Sequence, residues 1–85
     1  MTKYESLGRQ TSIDLYNCNE SKLNDIVFCR ETLKKAVEIG NGTFVAEHFH
    51  RFEPMGISGV VIIAESHLAI HTWPEHQFAA VDIFT

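Results

Sequence analysis

The sequence predicts an α+β fold in which one helix packs on one face of an antiparallel sheet, and three patterns carry that prediction. Between Leu23 and Ile39, apolar residues recur at three-and-four spacing, the period of an amphipathic helix. Segments 12–15, 43–52 and 78–84 alternate with period two, as half-buried strands do. From Gly59 to Glu75, two apolar runs with strand character meet at one polar point, Glu65-Ser66-His67. With 85 residues the chain reads as one domain, burying little more than the ~60% of surface typical of a small domain. Burial against a partner is therefore expected.

Taken in order, Met1 to Ser6 carries no pattern and reads as a loose terminus. From Leu7 to Leu15, Ile13 and Leu15 alternate with Ser12 and Asp14, which suits a strand with one wet face, ended by Asn17-Cys18-Asn19. The helix from Leu23 to Ile39 turns Ile26, Cys29 or Arg30, Leu33, Ala36 and Val37 toward a sheet, and Asn24 or Asp25 can cap its start. Gly40 is the expected left-handed stop, with Asn41-Gly42 turning into the next strand. Glu31 precedes Lys35 by one helical turn, a pairing of about 0.3 kcal/mol.

In Thr43 to Phe52, alternation places Phe44, Ala46, His48, His50 and Phe52 on one face and Val45, Glu47, Phe49 and Arg51 on the other. Glu53-Pro54-Met55-Gly56 makes a turn. The β-branched run Val60 to Ile63 reads as a strand buried on both faces. Leu68 and Ile70 alternate with Ala69 and His71 in a second strand that Pro74 closes. After a loop at Glu75-His76-Gln77, the last strand sets Phe78, Ala80 and Asp82 against Ala79, Val81 and Ile83.

Composition excludes several classes of function. With 45% hydrophobic and 21% charged residues and no repeat, the chain is globular rather than disordered. A formal net charge of -4 with scattered cations argues against contact with phosphate backbones, so no nucleic-acid partner is expected. The longest apolar run, Val60 to Ala64, is far too short to span a bilayer, and no signal-like segment opens the chain. A soluble cytoplasmic protein without membrane contact is expected. Cys18 and Cys29 form no CxxC pair and read as buried free thiols. His48 and His50 point the same way and could share a metal ion, but spacing supplies no third ligand; sheet histidines without a metal are the preferred reading.

Ser66 is where chemistry is expected. Its hydroxyl lies one residue from the Glu65 carbonyl, where a buried strand must bend. An N-to-O acyl shift there converts the amide to an ester, and β-elimination then opens the ester, leaving a pyruvoyl group on the fragment that begins at residue 66. Strain of this kind costs roughly 1 to 3 kcal/mol, which flanking buried strands can hold. Spacing alone does not select this reading, because most serines between strands only cap a turn.

The run ISGVVIIAESHLAIHTWPE, followed by AAVDIFT, resembles the bacterial and archaeal class of S-adenosylmethionine decarboxylase proenzymes. LGRQ, LYNC, the helix and FHRFEPMGISG extend the resemblance over nearly the whole chain. The resemblance implies self-cleavage between Glu65 and Ser66, with Ser66 as the pyruvoyl precursor and Glu65 as the new C-terminus. Ser58 and His71 match the pair implicated in processing; β-elimination needs a base for the Cα proton, which an imidazole can supply. Phe52 matches the aromatic that stacks on adenine, and Glu75 the carboxylate that accepts from the ribose hydroxyls. Trp73 is a further candidate contact, more simply read as packing.

The implied reaction is decarboxylation of S-adenosylmethionine through a Schiff base, for spermidine synthesis, with the pyruvoyl group as electron sink and no pyridoxal phosphate. The implied architecture is a sheet with helices on one face, two protomers pairing sheet to sheet as a homodimeric αββα sandwich. Family members continue past the last strand with Cys-Gly, a helix and a strand, that cysteine being credited with reprotonating the product carbon. On this comparison the sequence reads as truncated at its C-terminus. Residues 1–65 form the β-chain part and 66–85 the start of the α-chain part, with one helix leaving part of the outer face uncovered. Two rival functions are a decarboxylase of another amino acid, opposed by Phe52 and Glu75, and a non-catalytic module that binds S-adenosylmethionine or pairs with a full-length subunit. The missing cysteine favours the second, and intact Ser66, His71 and Ser58 oppose it.

Overall fold

A computed structural model describes residues 8–64 and 66–85; the expected loose terminus, Leu7 and Glu65 lie outside the described residues. Five alternating segments become β1 (Gln10–Leu15), β2 (Phe44–Arg51), β3 (Ile57–Ile63), β4 (Ser66–Trp73) and β5 (Phe78–Phe84). They form one sheet in the order β1-β5-β4-β3-β2, with every neighbouring pair antiparallel. Helices α1 (Glu20–Leu23) and α2 (Ile26–Ile39) pack on one side of it, and a 3-10 turn, Pro74–His76, joins β4 to β5. The α+β expectation holds.

The single helix expected from Leu23 is in fact two. The Asn19 side chain accepts from the Lys22 N–H to start α1, which ends at Asn24. Asp25 Oδ1 then accepts from the Phe28 N–H at 3.1 Å and starts α2, so the local caps outcompete a continuous helix. At the far end Gly40 keeps a φ of -77°, and the left-handed residue is Asn41, at 63°. The N–H of Asn41 bonds the Glu38 carbonyl and that of Gly42 the Val37 carbonyl, which completes the helix stop one residue later than expected. Asparagine tolerates this conformation better than most side chains.

Leu33 and Val37 of α2 pack against Val61, Leu68 and Ile70, with Phe49, Ile63, Val81 and Ile83 around them. Gly59 has a structural reason: a Cβ there would overlap the Phe49 ring, which lies across it from β2. Cys29 is buried at 2% exposure, and burial, aided by the nearby Asp25 charge, pushes its thiol up to about 11. Cys18 is half-buried, and both thiols are free. Glu31 stands 3.5 Å from Arg30 rather than pairing with Lys35, while Lys34 reaches across to Glu47 of β2 at 3.2 Å.

The register corrects three expectations. Pairing slips between Phe44 and Ala46, a bulge that returns Phe44 to the helix side, where Lys34 Nζ lies 4.9 Å from its ring centroid. Phe44 therefore does not share a face with His48 and His50. Ile62 is 44% exposed, because the second face of β3 has no cover within one chain, so Val60 to Ile63 is buried on one side only. Ile13 and Leu15 stay partly exposed as well, since α2 packs over β2 and β3 while β1 is the opposite edge of the sheet. Part of the outer face is thus uncovered, as one long helix implied. Among the described residues, no helix is long and apolar enough to cross a membrane.

Candidate active site

Ser58 and His71 lie thirteen residues apart in sequence but are direct partners in the β3–β4 ladder, on the face away from the helices. Their side chains meet: Ser58 Oγ and His71 Nδ1 are 2.7 Å apart. With the imidazole proton on Nε2 the hydroxyl donates to Nδ1, and with the proton on Nδ1 the ring donates to the hydroxyl. Such a pair can pass a proton without moving the backbone.

The pair sits in a cleft of about 430 Å³ whose lining also includes Phe52, Trp73 and Glu75. Two turns make its walls. The first, between β2 and β3, begins at Phe52, whose N–H donates to the Gly56 carbonyl at 2.8 Å. The second is the 3-10 turn, where Pro74 at the first position ends β4 and sets Glu75 in solvent. Phe52 is 46% exposed with its ring edge-on to His50 at 4.6 Å, and Trp73 leans on Phe78 at 5.4 Å. The cleft therefore offers open aromatic surface, one acceptor carboxylate and a hydroxyl–imidazole pair. Those groups suit a planar heterocycle carrying a diol, beside a centre where a proton moves.

Ser66 stands apart from this group. It is half-buried at the first position of β4, paired with Ile63, and alternation turns it toward the helix side. Five residues along one strand separate it from His71, roughly 17 Å at about 3.4 Å per residue. Of the expected site residues, the structure gathers Phe52, Ser58, His71, Trp73 and Glu75 and leaves Ser66 outside; Glu65 is not among the described residues. His48 and His50 do share the open face, and among the described residues no group of three or more His, Cys, Asp or Glu could hold a metal ion.

One wall residue was not expected to matter. Thr72 is buried, its Oγ1 accepting from the Ile57 N–H at 2.9 Å and donating to the Leu23 carbonyl at 2.8 Å. It ties the base of both turns to α1. In sequence it fits the strand alternation and gives no other signal.

The chain has close relatives of known family. A family model for S-adenosylmethionine decarboxylase matches residues 9–85. An S-adenosylmethionine decarboxylase proenzyme of Pseudomonas paraeruginosa is 52% identical over 79 residues, which is 93% of this chain and 49% of that protein. One of Acidithiobacillus ferrooxidans is 52% identical over 80 residues, 94% of this chain and 60% of that protein. The chain thus spans about half of the length of the curated relatives it matches. A crystal structure of the adenosylmethionine decarboxylase from Aquifex aeolicus superposes with a TM-score of 0.88 at 40% identity, covering 96% of this chain and 68% of that one.

Proposed function

The chain belongs to the S-adenosylmethionine decarboxylase family, and from that premise we propose that it is a cytoplasmic proenzyme that cleaves itself between Glu65 and Ser66 and decarboxylates S-adenosylmethionine for polyamine synthesis. The observation that carries the reading is the 2.7 Å Ser58–His71 contact inside a cleft that also presents Phe52, Trp73 and Glu75.

In the processing step, Ser66 Oγ attacks the Glu65 carbonyl carbon and the peptide C–N bond breaks, giving an ester. His71 takes the Ser66 Cα proton, with Ser58 sharing the load through their hydrogen bond, and the Glu65 carboxylate leaves. The resulting dehydroalanine tautomerises to an imine, and water hydrolyses it with release of ammonia. Ser66 fits as the source of the group because cleavage would not free it. Six ladder pairs join β4 to β3 and six join β5 to β1, all of them across the cut, so the two fragments stay together.

Once formed, the pyruvoyl group supplies the electron sink for loss of CO2. The chain's own residues place the substrate against it. Phe52 offers a face for the adenine, a stack of roughly 1 to 3 kcal/mol, and Glu75 accepts from the ribose hydroxyls. Trp73 closes the same side of the cleft.

The roughly 17 Å between Ser66 and His71 in one strand supports a site shared by two copies of the chain. In this homodimer the open sheet faces pack together as an αββα sandwich, and the Ser58–His71 pair of one copy serves the Glu65-Ser66 bond of the other. The uncovered Ile62 and the histidines beside it supply the face such a partner would bury.

Substituting Ser58→Ala or His71→Ala tests the assignment. Each is expected to slow scission at residue 65 at least ~100-fold, the usual share of a positioned acid–base group, as followed by intact mass. Scission at the unaltered rate in both variants would overturn it.

A further inference from the structure

We infer that Asn24, at the junction of α1 and α2, is a positioning residue for the nucleoside end of the cleft; the inference rests on the reading of Phe52 and Glu75 given above. Asn24 lies on the helix side of the sheet, behind the cleft, and holds both ends of the turn that carries Phe52. Its side-chain Oδ1 accepts from the Gly56 N–H at 3.0 Å, and its backbone carbonyl accepts from Arg51 Nη2 at 2.6 Å. Arg51 is the residue before Phe52, and Gly56 is the residue whose carbonyl takes the Phe52 N–H. The turn is thus anchored to one residue on either side of its aromatic.

The turn has little freedom to find another position. Gly56 has a φ of +111°, and a Cβ there would stand 3.2 Å from the Thr72 carbonyl, so the turn is pressed onto β4. The neighbouring Leu23 carbonyl accepts from Thr72 Oγ1 at 2.8 Å, which fixes the junction itself. On the other wall, α1 packs against the 3-10 turn that bears Glu75, and the Cys18 N–H donates to the Gln77 carbonyl at 2.9 Å. One short helical junction therefore sets the spacing between the aromatic and the carboxylate. The Gly56 bond is made by the Asn24 side chain, which can be replaced without touching the cleft lining.

The test uses 5′-methylthioadenosine, which carries the adenine and ribose but no amino-acid end, titrated against the full chain. Emission of Trp73, the chain's one tryptophan and part of the cleft wall, reports binding. Amide exchange at Gly56 reports the turn. Asn24→Ala is expected to weaken binding roughly five- to tenfold, the value of one hydrogen bond, and to speed exchange at Gly56. Asn24→Asp keeps an acceptor and is expected to restore both. If Asn24→Ala is too unstable to titrate, Asn24→Ser, whose side chain is too short to reach Gly56, takes its place with the same expectation. Binding and exchange unchanged in the alanine or serine variant would overturn the inference, as would failure of Asn24→Asp to restore them. A parent chain that binds no nucleoside would instead overturn the reading of the cleft, and the Gly56 exchange would still decide whether Asn24 holds the turn.

Discussion

Chains carrying His71→Ala, slow to cleave alone, are expected to cleave when unfolded and refolded together with chains carrying Ser66→Ala, which lack the attacking oxygen. The reason is distance. A proton passes between groups in hydrogen-bond contact, at about 3 Å, whereas Ser66 and His71 of one chain are roughly 17 Å apart along β4. Closing that gap within a chain would mean pulling β4 out of its six pairs with β3 and seven with β5. In a symmetric pair, a His71→Ala chain instead meets an intact His71 from its Ser66→Ala partner. Random 1:1 pairing puts about half of the His71→Ala chains in such mixed dimers, so about half of them should be cut. Intact mass identifies the cut chain directly, because its fragment beginning at residue 66 carries alanine at position 71. A mixture that stays whole, while the parent chain refolded in the same way is cut, would refute the two-copy site.

Three further outcomes follow from the packing and the cleft. Phe52→Ala is expected to weaken 5′-methylthioadenosine binding roughly tenfold or more through the lost stack, and Glu75→Gln to weaken it by a smaller factor, both read from Trp73 emission. Cys29, pushed up to about 11 from 9.0, should carry roughly 100-fold less thiolate than an ordinary cysteine at pH 8, so a thiol reagent labels Cys18 first. Because its folded value lies above the unfolded one, the stability it contributes is whole below pH 9.0 and declines as pH rises toward 11; urea midpoints should show that decline flattened in Cys29→Ala. Leu33→Ala, which empties the centre of the core under α2, should cost about 2 to 5 kcal/mol in a urea melt.

Where local pattern and tertiary demand agree, the sequence was a good guide. Val81 and Ile83 fall on the helix side of β5 and Leu33 and Val37 on the buried side of α2, because a period-two or period-3.6 pattern directly records which side chains leave water. Boundaries set by single hydrogen bonds were harder to read. The break between α1 and α2 depends on Asp25 capping Phe28, and the helix stop on Asn41 rather than Gly40. The bulge before Ala46 has no sequence mark, since one extra residue in a strand changes faces without changing composition.

The site was legible in a different way. Ser58 and His71 stand out only once the register of β3 against β4 sets them opposite each other, and their roles came from family resemblance rather than spacing. The separation of Ser66 from them was not visible at all. A linear motif that holds both Ser66 and His71 suggests neighbours, whereas a strand keeps residues five apart at opposite ends of a ladder. Ile62 shows the same limit: its apolar run reads as buried on both faces, and the chain by itself covers only one.

The most direct test of the account is an intact mass spectrum of the purified chain and of its Ser66→Ala variant, before and after borohydride. Two fragments are expected from the parent, one ending at residue 65 and one beginning at residue 66, with the second reducible, and the variant is expected uncut. A parent chain that remains whole, or a Ser66→Ala chain still split after residue 65, would contradict it.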